Sequence, residues 1–146
     1  MTLRILLALM VVVAGCDSVG VDPDVYDGVV EVSLFETTDD VPLSLRLVAV
    51  EDGDGCGDLL KTSLGRDGSV RRIEVDGIER PPPDAVVCAA IISASAVVDL
   101  ELGPDLSGGY VLEIEHAGST DLYALDLTGS VPILEAVRTS TTRIAR

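Results

Sequence analysis

The chain has 146 residues, enough for one domain built around a single core. Hydrophobic residues make up 47% of it, which excludes a disordered body. The formal net charge of −15 excludes nucleic acid and anionic headgroups as electrostatic partners, and leaves cationic ligands, divalent metals or basic proteins.

Aromatic residues are only 3%, namely Tyr26, Phe35, Tyr110 and Tyr123, and there is no Trp. The core is therefore aliphatic, and the platforms that stack sugars or single-stranded bases are scarce. Asn and Gln are absent altogether. Residues 17–58 hold twelve acids against Arg46 alone, while residues 59–146 hold thirteen acids against eight bases. These acids read as a solvated, solubilising surface.

Residues 1–16 read MTLRILLALMVVVAGC. Arg4 is a short positive region, and Ile5 to Ala14 is an apolar run of ten residues. A membrane-spanning helix needs about 20 apolar residues, so this run suits a signal peptide instead. Val13-Ala14-Gly15-Cys16 resembles the lipobox of bacterial lipoproteins, in which an aliphatic residue and two small residues precede an invariant Cys. The resemblance implies that residues 1–15 are removed and that the Cys16 thiol carries diacylglycerol and palmitate-type acyl chains. Two or three such chains anchor a protein stably, whereas one does not. The expected location is a cell-envelope membrane, with the chain facing the periplasm or the exterior. Asp17 does not decide between inner and outer membrane.

Residues 16–27 are polar, contain Gly and Pro and lack apolar periodicity, so they are expected to form a short tether. From residue 28 onward the pattern alternates with period two. Val30, Val32 and Leu34 share one face, as do Leu43, Leu45, Leu47 and Ala49. The same alternation runs through 70–75, 97–102, 110–115 and 123–127. A last apolar stretch runs from Ile133 to Ile144. Turn residues separate the runs at Asp52-Gly53-Asp54-Gly55, Arg66-Asp67-Gly68, Pro81-Pro82-Pro83 and Gly103-Pro104. His116 to Thr120 is a hairpin connection between two alternating strands. The Ala-rich segment 85–96 fits no pattern clearly. The pattern predicts an all-β fold over residues 28–146, a single antiparallel β-sandwich of about seven strands.

Leu106 to Ile114 reads LSGGYVLEI and resembles a late strand of immunoglobulin-like domains. The resemblance assigns Asp105 as the turn acid and Tyr110 as the corner tyrosine. The spacing between them is one residue off the usual separation, and no Cys follows at position 112. The implied architecture is immunoglobulin-like, and no activity comes with it.

Cys56 and Cys88 are the thiols left once Cys16 is acylated. In an exported protein an even pair forms a disulfide by default. It would close a loop of about 32 residues, worth roughly 3–4 kcal/mol on a chain-entropy basis. Separate buried thiols, or a metal or redox role, are the alternatives, the last without a C-x-x-C pattern.

Glu51 to Asp58 reads EDGDGCGD and superficially resembles a calcium loop. Asp52, Asp54 and Asp58 are the candidate ligands for Ca²⁺. Cys56 falls on the third ligand position and Ser63 on the bidentate Glu position, so an acidic hairpin tip is the simpler expectation, with no cofactor. His116 is the sole histidine and is expected at a surface turn. No partner histidine, H-E-x-x-H or G-x-S-x-G accompanies it. Residues 139–142 read TSTT and are expected as polar positions on a terminal strand. The functional expectation is a lipid-anchored, non-enzymatic envelope module that is structural or binds an envelope protein. The alternative is a lipoprotein binding a cation or ligand through the 51–58 loop.

Overall fold

Period-two alternation builds nearly every element of the computed structural model, which describes residues 22–35, 43–50, 57–81, 93–102 and 107–146. Nine strands and no helix occur among the described residues. They are β1 (Val30–Phe35), β2 (Ser44–Ala49), β3 (Leu59–Asp67), β4 (Val70–Glu79), β5 (Ser95–Asp99), β6 (Gly109–His116), β7 (Ser119–Asp126), β8 (Ile133–Arg138) and β9 (Thr142–Ile144). The all-β expectation holds. Cys16, Cys56, Cys88, Asp52, Asp54 and Asp105 lie outside the described residues.

The strands form one mixed sheet in the order β8-β7-β6-β4-β3-β5-β2-β1-β9. Three neighbours are parallel: β1 with β9, β4 with β6, and β3 with β5. A purely antiparallel arrangement of about seven strands was expected. The β3–β5 junction consists of a single pair, Leu59 opposite Ser95. On one side of it lie five strands, on the other four. The two blocks curl over one aliphatic core.

The buried face is the one that the alternation marks. Val30, Val32, Leu45, Leu47, Ala49, Ile73, Leu100, Leu112, Ile114, Tyr123 and Leu125 are essentially inaccessible. Burying each large aliphatic side chain is worth about 1.5–3 kcal/mol. A bulge at Asp76, the extra residue of β4 opposite the Lys61–Thr62 step, shifts the parity of β4 and turns Ile78 inward after Ile73 and Val75.

Two elements depart from expectation. β3 was not anticipated, because its inward positions Thr62 and Leu64 are only half-buried and its last three residues are all exposed. The stretch 133–144 is not one strand. It divides into β8 and β9, which lie at opposite edges of the sheet. The β6–β7 hairpin was legible: Ala117 and Gly118 both have positive φ, at 48° and 73°, as a type I′ turn requires.

The tether is shorter than expected. Asp24 and Ile78 exchange both backbone hydrogen bonds, each at 2.8 Å, so the chain is fixed to β4 from Asp24 onward. Gly77 makes this contact possible. Its φ is +139°, and a Cβ there would overlap the carbonyl oxygen of Asp24. Replacing Gly77 with Ala should therefore cost about 2–3 kcal/mol, from backbone strain and loss of the Asp24 bridge. Thermal unfolding should show a midpoint lower by several degrees; an unchanged midpoint would remove Gly77 from this role.

Candidate functional site

With no Asn or Gln in the chain, buried polar contacts fall to Asp, Ser, Thr, His, Tyr and Arg. The densest group lies where β7 meets the chain leading into β9. Asp121, at the start of β7, points inward and is fully buried. Its Oδ1 accepts from the Ser140 backbone N–H and hydroxyl, each at 2.8 Å. Its Oδ2 accepts from the Thr141 N–H at 3.0 Å and hydroxyl at 3.3 Å. The same oxygen accepts from the Thr142 N–H at 2.6 Å and hydroxyl at 2.7 Å. Because the Thr142 hydroxyl spends its proton on Asp121, the Tyr123 hydroxyl must be the donor in its bond to Thr142 Oγ1.

Burial opposes the charge on Asp121, but hydrogen bonds from Thr142, Ser140 and Thr141 outweigh it and hold the carboxyl at about 2, below the usual 3.8. Burial raises the Tyr123 phenol, and the nearby Asp121 charge pushes it the same way. Three hydroxyls, an acid and a histidine thus lie close together, yet they are not a catalytic triad. The His116 ring bonds none of the hydroxyls; Thr141 Oγ1 reaches only its backbone carbonyl, at 3.4 Å.

His116 is not at the surface. It is the last inward residue of β6 and is only 2% exposed. Its Nε2–H donates to the Gly28 carbonyl at 2.8 Å, and its ring stacks on Tyr26 with centroids 5.6 Å apart. Nδ1 is buried with no hydrogen-bond partner among the described residues. Tyr26 in turn reaches the Val29 and Val50 carbonyls at 2.9 and 2.6 Å. Proximity of residue 116 to a turn suggested exposure, but the sheet's curl places the leading segment over that end of β6.

At the other end of the strands, Arg71 is buried on the core side of β4. Its Nε donates to the Leu100 carbonyl at 2.7 Å, and Nη1 donates to Gly68 O at 2.8 Å. Nη2 reaches Glu101 O at 3.2 Å. The guanidinium lies 5.1 Å from the ring centroid of Tyr110, the expected corner tyrosine. Arg71 thus ties the β3–β4 turn to the end of β5.

Of the candidate cation ligands only Asp58 is described. It is buried, and its Oδ2 lies 3.7 Å from Arg80 Nε, which also pairs with Asp24 at 3.2 Å. Asp58 therefore already faces a cationic side chain. Among the described residues no group of three or more His, Cys, Asp or Glu side chains could hold a metal ion. The chain matches no protein-family model, no curated protein and no solved structure.

The Asp121 cluster predicts two outcomes. Depression of its carboxyl from 3.8 to about 2 contributes about 2 kcal/mol that is complete above pH 3.8 and lost as pH falls through 2. Asp121→Asn should lower stability at pH 7 by about 3 kcal/mol, since an amide cannot accept at both ends. The variant should also lack this acid loss between pH 4 and 2, as read by chemical denaturation across pH. Tyr123→Phe should cost only about 1 kcal/mol, because the Thr142 hydroxyl keeps its acceptor.

Proposed function

We propose that this chain is a lipid-anchored protein of a bacterial cell envelope, and that its β domain is a non-enzymatic module that is structural or binds an envelope protein. In this reading the five-strand and four-strand blocks serve as the two layers of an immunoglobulin-like sandwich. The observation that carries the non-enzymatic reading is where the buried polar groups are spent. Asp121, His116 and Arg71 are each committed to backbone groups that join one strand to another. A catalytic group is instead left facing a cleft with a tuned pKa.

The anchor reading is supported by the order of positive region, apolar run and lipobox at residues 1–16. The proposed Cys56–Cys88 bridge is supported by the topology around it. Cys56 lies three residues before Leu59, and Cys88 lies seven before Ser95. Leu59 pairs with both Ser95 and Glu79, so both cysteine-bearing segments start and end at one end of the strands.

Cys16→Ser should abolish labelling by radioactive palmitate and leave an unprocessed precursor; continued labelling sinks the anchor. Mass spectrometry of alkylated, unreduced protein should find no modified thiol at Cys56 or Cys88. Two alkylated thiols there would refute the bridge.

A further inference from the structure

We infer that the domain presents one particular end to the bilayer, the end that carries Asp24, Ile78, Leu59 and the Ala117-Gly118 turn, and that the Arg71 end points away. This rests on Cys16 as the lipid-bearing residue and deepens that reading by naming the surface that meets the lipid.

The argument starts from the Asp24–Ile78 bridge, which is antiparallel. β4 runs from the Gly68 turn down to Glu79, so the leading segment runs the opposite way. Pro23 and Asp22 are therefore level with Glu79 and Arg80, and the chain upstream leaves at that end. The Arg80–Asp24 ion pair, at 3.2 Å, fits this course. Leu59 opposite Glu79 belongs to the same end. So does the β6–β7 turn, because Glu115 is level with Glu74.

Length then decides between orientations. Eight residue steps separate Cys16 from Asp24, a contour of at most about 28 Å whatever conformation they take. A flexible tether of that length has a root-mean-square span of only about 16 Å. The eight steps of β4 from Val70 to Ile78 cover about 27 Å. Turning the domain over would lift Asp24 by that height and require the tether to be fully straight. The proposed orientation needs no such stretching.

The chemistry of this end suits a surface that is held near rather than bound. Val25 is 92% exposed and Leu59 is 58% exposed, offering small apolar contacts to the headgroup region. The exposed acids Asp22, Asp24, Asp27 and Glu79 belong to the same segments, so anionic headgroups do not attract this face. Proximity therefore comes from the covalent lipid, with repulsion screened over about 8 Å at physiological salt.

The test uses the full lipidated chain in nanodiscs that contain headgroup-spin-labelled phosphatidylcholine. Amide signals of Val25, Leu59 and Gly118 should be lost, while those of Gly68 and Thr128 persist. Inserting twenty Gly/Ser residues between Gly20 and Val21 should abolish the difference. Loss of the Gly68 and Thr128 signals, or equal loss at both ends of a chain whose mass includes the acyl groups, overturns the orientation alone. A chain without acyl mass at Cys16 overturns the anchor and the orientation together.

Discussion

The Asp121 carboxylate receives six hydrogen bonds from three consecutive residues, and the closure of the sheet depends on that contact. β8 and β9 sit at opposite edges of a nine-stranded order, yet only three residues connect them. So short a link requires the two edges to come together. Asp121 captures the link as it crosses, satisfying three backbone N–H groups that no strand could pair. A buried charge is expensive unless fully bonded, and here every oxygen is saturated. The Val30 N–H to Thr141 carbonyl bond, at 3.1 Å, continues the join into β1.

Other buried polar groups repeat the same device at the remaining weak points. The β3–β5 junction has one residue pair, and Arg71 reinforces its far end through carbonyls of residues 68, 100 and 101. The Arg66–Glu101 ion pair, at 2.7 Å, bridges the same gap from outside and contributes little because both side chains are solvated. His116 and Tyr26 hold the leading segment over the end of β6. Each case joins elements distant in sequence by a side chain bonded to backbone. Among the described residues, this leaves the domain's deepest polar groups joining backbone to backbone.

The Asp24–Ile78 bridge has mechanical meaning. A leading segment that hung free from residue 16 to 27 would let the domain tumble. Fixing it at Asp24 sets the direction in which it runs along β4. Asp22, Asp24 and Asp27 then lie on the segment that leaves from the Glu79 end of that strand.

The sequence by itself determined the all-β class, the buried faces of β1, β2, β4, β5, β6 and β7, and the β6–β7 hairpin. Those features follow from period-two alternation and from a turn that demands positive φ, both of which are local. What only the tertiary structure decided is which strands are neighbours and which polar residues face inward. Arg71 alternates with Ile73 and Val75, so its parity was visible, but a charged residue reads as solvent-facing until carbonyls from residues 100 and 101 are brought to it. His116 reads as a turn residue until Gly28 covers it, 88 positions away in the chain. Residues 139–142 read as a strand because nothing local reveals that Asp121 takes their N–H groups. In each case the deciding partner is far off in sequence, and alternation carries no information about it.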